Sequence, residues 1–90
     1  MTMSHNGLSK LIEECGEVIQ IAGKLLAYPS GVHPDGAGNL NERLEDELGD
    51  LGAAIQFVIE ARQLDGRYRI SNRRQEKLVT FRRWHADPNN

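Results

Sequence analysis

Residues 7–27 carry apolar side chains at Leu8, Leu11, Ile12, Cys15, Val18, Ile19, Ala22, Leu25 and Leu26. That is the i, i+3, i+4, i+7 spacing of one helix face, and a strand, whose faces alternate at every residue, cannot use it. The period returns over about 41–64, where Leu44, Leu48, Leu51, Ile55, Val58 and Ile59 fall inward. A third helix is predicted over about 70–84, with Leu78, Phe81 and Trp84 as its apolar contacts and Ser71 or Asn72 near its start. Ser4 or Asn6 is expected to cap the first helix, and Asn39 followed by Glu42 reads as a capping box for the second. Asp65-Gly66 is expected to end the second helix. Between the first two helices, residues 28–40 hold two prolines and three glycines and read as a loop. It exceeds the two to eight residues usual between helices, as functional loops often do. The expectation is an all-α chain, one domain over 1–90 forming a bundle of about three helices.

A chain of 90 residues buries only about 60–65% of its extended surface, so its core is thin and completion by homo-oligomerisation is expected. One cysteine, Cys15, excludes an internal disulfide framework and suits a reducing, cytoplasmic setting. No apolar run approaches the roughly 20 residues of a membrane span, and MTMSHNGLSK lacks the apolar segment of a secretory signal. Charge is unevenly spread: residues 1–61 hold three basic and ten acidic side chains, residues 62–90 eight basic and three acidic. Either the halves attract each other, or an acidic site holds a cation while basic groups hold an anion nearby.

The acids themselves follow a pattern. LIEECGEV at 11–18 and LEDELGDL at 44–51 share Leu, any residue, acid, Glu, any residue, Gly, acid and an aliphatic residue. At about 100° per residue, with Leu11 as zero, Glu14 falls near 300° among Ile21, Leu25 and Val18. Glu17 sits at the edge of that arc and Glu13 points further out. With Leu44 as zero, Glu47 likewise falls near 300°, between Ala54 and Val58, and Asp50 near 240°, bracketed by Phe57 and Ala61. Glu45 and Asp46 face outward. A lone acidic cluster on a helix is usually a solvated face, with Lys10 or Lys24 available to pair with it. Two helices with inward carboxylates at one phase weigh against that, because unpaired buried carboxylates are costly and repel one another. A divalent cation such as Mg²⁺ or Ca²⁺ would neutralise them, and Mg²⁺ is commonly shared between carboxylates and phosphates. Arg69, Arg73, Arg74, Lys77, Arg82 and Arg83 supply the complement to phosphates.

Glu13-Glu14-Cys-Gly-Glu17 and Glu47-Leu-Gly-Asp50 resemble the E-E-x-x-E and E-x-x-D motifs of the MazG-like all-α nucleoside triphosphate pyrophosphatases, in order and separation, over about residues 7–64. The resemblance implies hydrolysis of a nucleoside triphosphate between its α- and β-phosphates, giving a monophosphate and pyrophosphate with Mg²⁺, for which Mn²⁺ could substitute. It implies Glu14, Glu17, Glu47 and Asp50 as metal ligands and Glu13 as the residue that orients water or acts as base. Arg73 and Lys77 are the candidates for holding the substrate's phosphates. The resemblance also implies a homodimer or homotetramer. The chain departs from the family in having little sequence before the first motif, where many relatives place residues that contact the base.

Other residues carry weaker signals. His5, His33 and His85 never fall at the Glu-x-x-His spacing of di-iron bundles. His33, in V-H-P-D-G, reads first as loop structure; a loop closing over the nucleotide through His33 or Asp35 is the second reading. Cys15 reads as packing. Gly16, Gly49 and Gly52 fit either close helix approach beside the carboxylates or simple tolerance. A net charge of −2, together with the expectation that Phe81 and Trp84 pack inward and leave no exposed aromatics among the basic residues, argues against nucleic acid. Two rivals to the hydrolase stand: a non-catalytic relative that binds metal and nucleotide, and a helical interaction module whose acids are only surface.

Overall fold

A computed structural model describes residues 5–64 and 66–87 of the chain. They form three α-helices and no strand: α1, Leu8–Ala27; α2, Leu40–Ala61; α3, Gly66–Ala86. The all-α expectation therefore holds. The helix ends differ from those expected, for local reasons. Gly7, in the left-handed region at φ 89°, takes the N-cap position of α1 without a side-chain hydrogen bond. Asn6 does not cap it, and Ser4 lies outside the described residues. Asn39 does cap α2, its side-chain oxygen accepting from the amides of Asn41 (2.8 Å) and Glu42 (3.2 Å). α2 stops early, where Gln63 turns to φ 54°. Gly66 is the first residue of α3 rather than the end of α2, and Asp65 lies outside the described residues.

α1 and α2 run antiparallel. Gly7 at the start of α1 lies against Val58 near the end of α2, while Lys24 and Arg43 meet at Asp35 in the intervening loop. A Cβ on Gly7 would come within 2.9 Å of the Val58 Cα, so this crossing needs glycine. Gly31, at φ 89°, makes the corresponding close turn in the loop, where its carbonyl accepts from the Leu40 amide at 2.8 Å. The core between the helices is narrow: Ile21, Leu40, Ala54 and Val58 are buried, with Leu40 fully enclosed.

Much of the expected apolar face is left uncovered by the described residues. Ile12, Ile19 and Leu26 of α1 are 71%, 70% and 86% exposed, and Leu48 and Ile55 of α2 are exposed as well. The reason is geometric. A helix in a two-helix layer buries one arc of its circumference, and these chains carry a wider one. At 100° per residue the unburied arcs of both helices fall on the same side of the hairpin, opposite the side that carries Glu14, Glu47 and Asp50.

α3 packs along neither helix, whereas α1 and α2 pack closely together. The chain spreads over 40 × 35 × 15 Å with a radius of gyration of 16.0 Å, against about 12 Å for a compact domain of this length. Leu78 is half-buried, but Phe81 and Trp84 are exposed and contact each other with ring centroids 5.6 Å apart. The expected inward packing of the third helix is thus not made within one chain.

Candidate metal centre

The two helices meet through the acids that share their facing arcs. Glu14, Glu47 and Asp50 each present a carboxylate oxygen, and the three oxygens lie within 4.8 Å of one another. Glu14 and Glu47 are half-buried and Asp50 is exposed. Glu47 Oε2 is enclosed, with no hydrogen-bond partner among the described residues. Desolvation pushes the Glu47 carboxyl above the usual range, and the negative charges of Asp50, Glu14 and Glu17 push it further. A hydrogen bond with Glu14 acts in the same direction, and two carboxyl groups can form one only when one of them is protonated. With both ionised, Oε2 is left alone.

The other sequence candidates divide. Glu17 is exposed at the rim, close enough for its charge to be felt by Glu47 but outside the group of three. Glu13 points to solvent, where Lys10 Nζ donates to its Oε2 at 3.2 Å. Arg73 donates to Glu76 within α3 at 3.2 Å, and Lys77 is exposed on the same helix. Since α3 stands off the hairpin, neither Arg73 nor Lys77 is gathered with the carboxylates. Gly16, Gly49 and Gly52 have open space where a Cβ would stand, so no close approach within the chain requires them.

A groove of about 310 Å³ opens beside the acids, lined by Lys10, Glu14, Asp50, Ala53, Ala54 and Phe57. Lys10, Ala53 and Phe57 were not singled out as site residues by the motifs. Their signal was present in the helical phase: Phe57 brackets Asp50 on one wheel, and Lys10 lies one turn before Glu14 on the other. All-oxygen donors in one cluster, with no nitrogen or sulfur ligand, suit a hard divalent cation such as Mg²⁺ or Mn²⁺. The enclosed, partnerless Oε2 of Glu47 is the atom that such an ion would satisfy.

The long loop is organised around Asp35. Its carboxylate accepts from Lys24 Nζ (3.2 Å), from Arg43 Nη1 (3.2 Å to each oxygen) and from the Ala37 amide (3.1 Å). The Ala37 amide, then Lys24, Arg43 and His33, hold the Asp35 carboxyl well below its ordinary range against the opposing cost of burial. His33 Nδ1 lies 3.0 Å from the Asp35 amide and 3.1 Å from Oδ2. It accepts from the amide when unprotonated and donates to the carboxylate when protonated. The ring also meets Tyr28 edge-on at 4.7 Å. His33 thus has the structural role read first for it. Lys24 is seven residues beyond Glu17, about 10 Å along the axis, so the loop closes the hairpin's end rather than the carboxylate groove. No protein-family profile, curated protein or solved structure matches the chain.

Proposed function

We propose that the chain is a Mg²⁺-dependent nucleoside triphosphate pyrophosphohydrolase that cleaves between the α- and β-phosphates, the activity implied by its resemblance to the MazG-like enzymes. The observation that carries this reading is the convergence of Glu14, Glu47 and Asp50 around the enclosed oxygen of Glu47. These three residues would hold the cation, with Glu17 joining from the rim, and Mn²⁺ is expected to substitute. Bound there, the cation would polarise phosphate oxygens. Lys10 would receive phosphate charge at the mouth of the groove, while Ala53 and Phe57 shield one wall from water. Glu13 Oε2 would accept the proton of the attacking water once its contact with Lys10 opens.

The experiment is incubation with Mg²⁺ and a panel of standard and modified nucleoside and deoxynucleoside triphosphates, with products identified. A monophosphate plus pyrophosphate is expected; release of orthophosphate, or no product from any of them, sinks the proposal. A non-catalytic relative that binds metal and nucleotide is the second reading, favoured by the engagement of Glu13 with Lys10 and by the distance of α3 from the site. Binding without turnover would establish it. A helical interaction module would show neither Mg²⁺ nor Mn²⁺ binding. Homodimer or homotetramer formation is part of the proposal, supported by the uncovered apolar side of the hairpin, and a cytoplasmic setting suits the free thiol of Cys15. No described helix is long and apolar enough to cross a membrane.

A further inference from the structure

α3 and the hairpin are chemical opposites. Residues 66–86 hold seven basic side chains and one acidic one, a net +6, while residues 8–61 hold three basic and ten acidic, a net −7. The single acid of α3, Glu76, is taken by Arg73. Among the described residues, Arg69, Arg74, Lys77, Arg82 and Arg83 have no ion-pair partner. On a helical wheel with Ile70 at zero, Phe81 and Trp84 fall within about 40° of it, and Arg73, Arg74 and Lys77 within about 60°. One face of α3 therefore mixes cations with exposed apolar rings, Phe81 at 52% and Trp84 at 54% exposure.

The carboxylate side of the hairpin has the matching mixture: Glu14, Glu47 and Asp50 beside a groove walled by Ala53 and Phe57, with the charge of its one lysine, Lys10, offset by Glu13. The lengths match too, since α3 has 21 residues and α2 has 22, each a rod of a little over 30 Å at about 1.5 Å per residue. The opposite side of the hairpin exposes Ile12, Ile19, Leu26, Leu48 and Ile55 and has, among the described residues, no carboxylate cluster to match a helix carrying six net charges. In its own chain α3 leaves the hairpin rather than folding back on it. We propose that α3 of one copy seats on the carboxylate face of the hairpin of a second copy, bringing Arg73 and Lys77 to the acids of that copy. The contact is attractive at long range and so is weakened by salt. A nucleic acid would also suit α3 alone, but the acidic hairpin of the same chain would repel it. This contact does not depend on turnover and stands if the hydrolase reading fails.

The test uses full-length chain in two forms. One carries Cys15→Ser and Arg82→Cys, with a nitroxide on the new thiol, about 120° from Ile70 and off the docking face. The other is untagged and ¹⁵N-labelled. In a mixed sample, amides of Asp50, Ala53 and Phe57 in the untagged copies should broaden, and chemical reduction of the nitroxide should restore them. Molar salt should remove the effect, and Arg73→Glu with Lys77→Glu should weaken the self-association on the order of tenfold or more. Both substituted residues are exposed, so unchanged helicity of that variant is expected and is checked by circular dichroism. In a second sample the tagged form is the ¹⁵N-labelled one. Broadening of its Asp50, Ala53 and Phe57 amides that persists on dilution with excess unlabelled, untagged chain, with none in the untagged copies of the first sample, would mean that α3 folds onto its own hairpin and would overturn the proposal. So would broadening on the Ile19 and Ile55 side instead, or none at all. Perturbation of α3 amides by a single-stranded oligonucleotide without any contact between copies would assign α3 to nucleic acid.

Discussion

At the scale of single residues, Glu47 and Asp35 show one side chain type of charge handled in opposite ways. Glu47 is an acid whose ionised form the fold disfavours, its carboxyl lying above the ordinary 4.5. Between that value and the higher folded one, the native state binds more protons than the unfolded chain, so stability of the metal-free protein falls as pH rises through the window. Glu47→Gln removes this liability and should raise the melting temperature at neutral pH in chelator. The same change should weaken Mg²⁺ binding by at least the roughly 10–100-fold that loss of an outer partner of a metal ligand costs. Calorimetric titration and thermal melts with and without Mg²⁺ check both halves, and a destabilised variant in chelator would contradict the reading of Oε2 as an orphan. Asp35 is the reverse. Held below its ordinary 3.8, it contributes stability that is fully present above that pH and is lost as pH falls through the folded value. Asp35→Asn should therefore lower the melting temperature at pH 7, and the gap to the parent chain should narrow below about pH 4. Glu14, Glu47 and Asp50 were legible in the sequence because helical phase alone places them. The Lys10–Glu13 contact was not, since the choice of rotamer selects it over Lys10 with Glu14, and Asp35 was not, because its partners come from three separate segments.

At the scale of elements, the hairpin depends on two places where the backbone sets the geometry. Gly7→Ala would force a non-glycine residue to φ 89° and drive a Cβ to 2.9 Å from the Val58 Cα. Left-handed strain of about 1–2 kcal/mol and overpacking of about 1–3 kcal/mol give an expected loss of about 2–5 kcal/mol. Urea unfolding measures it, and a loss below about 1 kcal/mol would mean that the helices readily slide apart there. Asn39→Ala should cost about 1 kcal/mol by leaving the amides of Asn41 and Glu42 without their shared acceptor. The cap at Asn39 could be read from sequence because its signal is local. The end of α2 could not: Asp65-Gly66 has the composition of a stop, yet the chain already leaves the helix at Arg62 and Gln63. The inward face was legible in direction but not in width. Periodicity marks every apolar position, and only the number of neighbouring helices decides how many are covered.

At the scale of the whole molecule, an uncovered apolar side and a separate basic helix are the two features that the proposed homo-oligomer would cover. Exposed apolar patches larger than a few hundred Å² are uncommon on monomers, and Ile12, Ile19, Leu26, Leu48 and Ile55 all lie on one side of two helices. In the proposed homo-oligomer the same side of a second copy would be its complement and would bury it by two-fold symmetry. In such a pair each substitution acts twice. Burying an isoleucine contributes about 1.5–3 kcal/mol, so Ile19→Lys should remove about 3–6 kcal/mol from the association and raise the dissociation constant by roughly 10²–10⁴-fold. Ile19 is remote from the Ile21 and Val58 core, so the variant should keep its helicity while light scattering reports a smaller particle. An unchanged particle mass would show that the copies meet elsewhere. A variant with reduced mass but intact Mg²⁺ binding would show that Glu14, Glu47 and Asp50 form their cluster within one hairpin, as the geometry requires, with the second copy supplying cover rather than ligands.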